Sequence, residues 1–188
     1  GYGRTCHVIM SNCSVEKYYI LDLNNCLELS RNYLQQVLDK SQFSKISFIS
    51  IDNAEVINDL SFDLCINIDS FSEMTEETVR HYIDYINGYC NSLYTKNPVC
   101  NNIVRPQNML LSKQDGFFNR CRNVAAKVLY SDNITLPDVG DIFDSDLTNM
   151  RAQDFIAMYM PGPDWKCVAD SSVLPWSHYW QVIYNKVV

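Results

Sequence analysis

A carboxylate at the end of a short apolar strand, about 20 positions after a pair of glycines, constrains this chain more than any other feature. The glycines are Gly1 and Gly3, in Gly1-Tyr2-Gly3-Arg4, and the strand is Tyr18-Tyr19-Ile20-Leu21, closed by Asp22. Thr5 to Ser11 between them reads as a helix. Glycine turn, helix, strand and terminal acid form the grammar of a βαβ nucleotide site. Glycines let the backbone approach a ligand closely, and the carboxylate can accept hydrogen bonds from ribose hydroxyls. The strand expected ahead of the glycines does not precede Gly1, so the chain reads as a fragment or as a domain numbered from an internal residue.

The alternation continues. Ile20 and Leu21 are apolar enough for a strand buried on both faces. Asn24 or Asn25 can cap a helix in which Cys26, Leu29, Tyr33, Leu34, Val37 and Leu38 recur at helical spacing. Lys45 to Ile51 is strand-like, Asp52 and Asn53 end it, and Ala54 to Asp59 suits a short helical turn. Phe62 to Ile68 is the most strand-like run, and Thr75-Glu76-Glu77-Thr78 then opens a helix with Thr at the cap and acids in its first turn. That helix stops near Gly88, and Ser92 to Tyr94 forms the next strand. From about residue 98 to 136 the pattern loosens into an insertion with one helix around Asn119 to Val128. Met150 to Met160 reads as helix or irregular chain, and Trp165 to Val173 and Tyr179 to Val188 are closing strands. The whole predicts one α/β domain over residues 1–188 with a mostly parallel sheet. The last two strands, joined without a helix-length spacer, should pair antiparallel at its edge.

At 188 residues, 47% hydrophobic and 20% charged, the chain suits a globular domain with a real core. A net charge of −7 disfavours nucleic acid as the main partner. The absence of a long apolar run or a leader argues against a membrane span and against secretion. The eight cysteines are irregularly spaced, with no CxxC pair and no Cys/His cluster. Reduced thiols, a cytoplasmic location and no metal site are therefore expected.

Together these residues resemble the class I S-adenosylmethionine-dependent methyltransferases and, more narrowly, a family of sugar O-methyltransferases. The motifs carrying the likeness are GYGRT at 1–5, YYILDLNNCLELSRNYL at 18–34, FDLCINIDSFSEMTEETVRHYIDYI at 62–86 and SLYTKN at 92–97. Ser70-Phe71 with Glu73-Met74 directly after a strand is the most specific of them. The likeness covers the first half well, fits WKCVADSSV and YWQVIYNKV in outline, and leaves the middle unmatched. It implies a Rossmann-like class I methyltransferase sheet, mostly parallel with a C-terminal antiparallel hairpin and with its first strand missing.

The resemblance also implies S-adenosyl-L-methionine as cofactor and a hydroxyl of a sugar or glycosylated small molecule as acceptor. On that reading Gly1, Tyr2 and Gly3 line the methionine part of the cofactor. Asp22 holds the ribose, Leu23 packs on the adenine, and Asp52 and Asn53 meet the adenine amino group. Asn67 and Ile68 lie beside the cofactor, Asp69 is the leading general base, and Glu73 and His178 are further catalytic candidates. Each has a plainer reading. Gly-x-Gly can be a flexible end, Asp22 a helix cap, Asp52-Asn53 a turn pair, and Asp69-Ser70 a cap with Glu73 completing a capping-box-like pair. His7 suits packing and His81 the surface, while Trp165, Trp176 and Trp180 are the aromatics placed to stack on a sugar. An NAD-type oxidoreductase lacks support from a third glycine, and a methyltransferase-like scaffold without turnover stays open.

Overall fold

The computed structural model describes residues 2–58, 60–98, 152–173 and 179–187. Gly1, Trp176, His178 and residues 99–151, where most of the expected insertion and its helix fall, lie outside them. The chain divides into two compact units, Gly1–Leu60 and Ser61–Val188.

In the first unit α1 (Arg4–Asn12) leads to β1 (Tyr18–Asp22), α2 (Asn24–Val37), α3 (Lys40–Phe43) and β2 (Ile46–Ser50). A 3-10 segment, Ile51–Ile57, follows. β1 and β2 pair in parallel, Tyr18 opposite Ile46 and Asp22 opposite Ser50. Of the stripe expected for α2, Leu34 and Leu38 are buried, but Leu29 is 52% and Val37 39% exposed, and Leu27 and Ser30 line the buried face instead. Cys6 and Met10 of α1 pack with Leu34 of α2, Leu38 and Ile46. Leu34 is fully buried, a contribution of about 2 kcal/mol from one side chain. His7 packs on α2, with Nδ1 2.8 Å from the Tyr33 hydroxyl.

Three further local expectations change. β1 is half-buried along its length instead of buried on both faces, since among the described residues β2 is its only strand neighbour. Neither Asn24 nor Asn25 caps α2. Leu23 takes the cap position without a side-chain bond, while Asn24 reaches Asp52 and Asn25 Oδ1 accepts from the Cys26 amide. α3 was not foreseen, because four residues carry no period. Its signal is the capping box of Asp39 and Gln42, which exchange bonds of 2.8 and 3.2 Å.

The second unit holds β3 (Cys65–Ile68), a 3-10 turn (Ser70–Glu73), α4 (Glu76–Tyr89), β4 (Ser92–Pro98), α5 (Ala152–Met158), β5 (Trp165–Ser172) and β6 (Tyr179–Lys186). Its sheet runs β3-β4-β6-β5. β3 and β4 are parallel, which requires the α4 crossover between them. The closing strands form the expected antiparallel hairpin, with β6 inside against β4 and β5 at the edge. A bulge between Cys167 and Ala169 breaks the regularity of that edge. Thr75 caps α4 as expected, its hydroxyl accepting from the Thr78 amide. Val79, Ile83 and Ile86 bury one face of α4 in a core with Phe71, Leu93 and Tyr159. Phe71 and Tyr159 stack at 5.7 Å.

Trp165 belongs to this core, with Nε1 donating to Asn87 Oδ1 at 2.9 Å, so it cannot stack on a sugar. Trp180 Nε1 donates to Asp170 Oδ2 at 3.1 Å. The six described cysteines carry free thiols. A hydrogen bond between Cys65 and Cys90 holds Cys65 well above the usual thiol range and lowers Cys90. No described helix is long and apolar enough to cross a membrane.

Candidate functional site

Two groups of sequence-predicted residues come together, one in each unit. The first lies at the carboxyl ends of β1 and β2, the end where parallel α/β sheets present ligand-binding groups. Asp22 ends β1, is half-buried, and accepts the Leu23 amide on Oδ1 at 2.8 Å. Leu23 leaves its side chain 56% exposed, an apolar surface beside a carboxylate. Asp52 follows β2 and is gathered in by two donors. Asn24 Nδ2 and Ser50 Oγ each approach Asp52 Oδ2 at 3.3 Å. Asp22, Leu23 and Asp52 thus share one rim, joined through Asn24 and Ser50. Asn53 is exposed, at a kink with φ −125° and ψ 30° that interrupts the 3-10 segment.

Gly3 opens α1 with φ +80°, a backbone conformation that glycine adopts without strain. A Cβ there would stand 3.0 Å from Leu34 Cδ1 and 3.5 Å from Ser30 Cβ, so the positive φ and close packing against α2 together favour glycine without any ligand. Tyr2 is 64% exposed.

The second group surrounds the carboxyl end of β3. Ile68 ends the strand opposite Lys96, and Asp69 follows with φ 68° and ψ −32°. Asp69 is the only non-glycine with positive φ among the described residues. Such strained geometry costs about 1–3 kcal/mol and tends to collect at functional sites. The cap that is the plainer reading of Asp69 and Ser70 does not form. The Asp69 side chain makes no capping bond and Glu73 is exposed. Instead the Asp69 carbonyl accepts from Ser72 N at 3.0 Å and Ser72 Oγ at 2.5 Å. Oδ1 of Asp69 is buried with no hydrogen-bond partner.

Behind this turn runs a buried polar chain. Asn67 Nδ2 donates to Ser70 Oγ at 2.6 Å, and Asn97 Nδ2 donates to Asn67 Oδ1 at 3.0 Å and Thr95 Oγ1 at 2.7 Å. Asn67 is therefore engaged inside the protein. Thr95 and Asn97, both fully buried, were not singled out from the sequence. The signal was present in SLYTKN. Leu93, Thr95 and Asn97 alternate onto one face of β4, and polar residues on a strand's buried face demand partners. Ser50 was missed in the same way on β2. The described residues hold no group of three or more His, Cys, Asp or Glu that could bind a metal.

No protein-family profile and no curated protein matches the chain. Solved structures do. A candidate O-methyltransferase from Nostoc punctiforme PCC 73102 aligns at TM-score 0.57 and 12% identity, over 98% of this chain and 48% of that one. The S-adenosylmethionine-dependent methyltransferase SibL, in its apo form, aligns at TM-score 0.57 and 12% identity, over 100% and 48%. A candidate O-methyltransferase from Klebsiella pneumoniae aligns at 0.54 and 11%, over 100% and 70%. The chain has the class I S-adenosylmethionine-dependent methyltransferase fold. It spans about half the length of the first two of these proteins.

Proposed function

We propose that both units are parts of one methyltransferase domain, which binds S-adenosyl-L-methionine and directs its methyl group to a hydroxyl of a sugar or glycosylated small molecule. The observation that carries the cofactor reading is the polar rim of Asp22 and Asp52 at the carboxyl ends of two parallel strands, within a fold shared with methyltransferases. The rim fits the cofactor's nucleoside. A carboxylate accepts from ribose hydroxyls, exposed Leu23 offers a surface for the adenine ring, and Asp52 can accept from an amino group. The sugar part rests on the Ser70-Phe71, Glu73-Met74 resemblance.

The cofactor, when bound, supplies an electrophilic sulfonium methyl. What this chain contributes is position and proton transfer. Asp69, half-buried at the end of β3 and making no capping bond with its side chain, is assigned to accept the hydrogen of an acceptor hydroxyl as its oxygen attacks in line. Tyr2, Gly3, Asn53, Ile68 and Glu73 are assigned supporting roles by the resemblance alone, as are Gly1 and His178.

Titration of S-adenosylhomocysteine into the chain by calorimetry tests this reading. Micromolar binding that is lost in Asp22→Ala supports it. A folded chain that takes up no ligand overturns it and favours the fragment or scaffold, while Asp22→Ala binding as tightly as the parent overturns the ribose role of Asp22.

A further inference from the structure

We propose that Asn97 is a positioning residue for Asp69. It anchors the hydrogen-bond chain that holds the Asp69 backbone at positive φ, and so keeps the carboxylate from being consumed as a helix cap. This rests on the reading of Asp69 as the group that meets the acceptor.

An aspartate at the start of a helical turn ordinarily turns its carboxylate onto the turn's own amides. Asp69 does not, and the surrounding bonds explain why. Its amide donates to the Lys96 carbonyl at 2.9 Å, and its carbonyl is held by the amide and hydroxyl of Ser72. Asn67 and Ser70, which bracket Ile68 and Asp69, are tied by side chains. Asn67 grips Ser70 from below, and Asn97 grips Asn67 from the neighbouring strand while also bonding Thr95. The Asp69 backbone is therefore bonded at both ends and flanked by a buried amide chain. The side chain takes no part in these bonds.

The chain's far end is Asn97, which has no exposed surface and lies immediately after Lys96, the residue that receives the Asp69 amide. Its own Oδ1 has no partner. A fully buried amide with an unmet acceptor is a poor choice for stability alone, since an apolar side chain would avoid the penalty. Its retained contribution is geometric. It fixes the orientation of the Asn67 amide, and that amide fixes Ser70.

The test is nuclear magnetic resonance on the full chain, with two readouts. The intraresidue amide-to-Hα NOE of residue 69 reports positive φ, and hydrogen exchange at the Ser72 amide reports how firmly the turn is held. Asn97→Ala should weaken that NOE and accelerate Ser72 exchange about tenfold. Glycine takes positive φ unaided. In an Asp69→Gly background the same substitution should therefore accelerate exchange less than about threefold. Equal acceleration in both backgrounds would make Asn97 a packing residue only, and no acceleration would mean that the chain does not hold the turn. Either result overturns the proposal. Should Asn97→Ala unfold the unit, Ser70→Ala cuts the same chain at a half-buried residue and is judged by the same comparison. These readouts need no ligand. Failure of S-adenosylhomocysteine binding with the coupling intact would sink the methyltransferase reading alone, and the reverse pattern would sink the positioning role alone.

Discussion

Replacing Asp69 by glycine should make this protein more stable. The residue sits at φ 68° and ψ −32°, where a side chain costs about 1–3 kcal/mol of strain. Its Oδ1 is buried without a partner, which costs about another 1–2 kcal/mol. Glycine removes both terms and gives back about 0.5–1 kcal/mol through the greater freedom of the unfolded chain. The net expectation is a gain of about 2 kcal/mol. Asp69→Ala separates the two terms, because alanine loses the carboxylate but keeps the strained φ. Glycine should therefore exceed alanine by about 1 kcal/mol, which is roughly 0.5 M in urea midpoint for a protein of this size. Fluorescence of the buried Trp165 in urea melts provides the assay. A glycine variant that unfolds at or below the alanine midpoint would refute the strain argument. One that unfolds below the parent would show that the carboxylate has a stabilising partner. The opposite signs of stability and activity that the site predicts for Asp69→Gly are what a strained functional residue should show.

Gly3→Ala should destabilise the first unit by about 1–3 kcal/mol, by forcing a side chain into positive φ and against Leu34; thermal melts check this, and an unchanged midpoint would contradict it. Alkaline pH should weaken the fold with a definite sign. Burial pushes the Cys6 thiol from 9.0 up to about 12, so the unfolded chain releases its proton first. Stability is then intact below pH 9.0 and falls as pH rises toward about 12. Burial moves Tyr85 the same way, from 10.0 to about 12. Urea midpoints across that window test the slope, and Cys6→Ala should flatten it. Among the described cysteines, exposed Cys13 should react with iodoacetamide first and Cys6 last, as read by peptide mapping of the native protein. Gly162→Ala would bring a Cβ to 2.7 Å from Asn87 Oδ1, and should displace the amide that binds Trp165 and shift its fluorescence.

Much of the architecture was written in local pattern. The apolar strand ending in Asp22, the Thr75 cap and the closing hairpin each depend on residues a few positions apart or on the length of a connection. Periods of 2 and 3.6 and end-capping chemistry are properties of short segments, so a sequence displays them. The candidate rim was legible to the same degree, because a carboxylate at a strand end announces its position. Its company was not. Asn24 was one of two candidate caps for α2, yet it reaches Asp52, 28 positions away, because parallel pairing brings the two strand ends together.

The second group shows the limit more clearly. Asp69 read from sequence as a general base or, with Ser70, as an ordinary cap, and nothing in FDLCINIDS announces a positive φ. That conformation exists because Asn67 and Asn97, 30 positions apart, meet across β3 and β4 and hold the turn from behind. The sequence by itself determined which segments become helices and strands and which residues stand at their ends. Only the tertiary structure decided which buried polar groups meet. Strand register sets that choice, and register follows from the burial of whole faces, not from the preferences of any one segment.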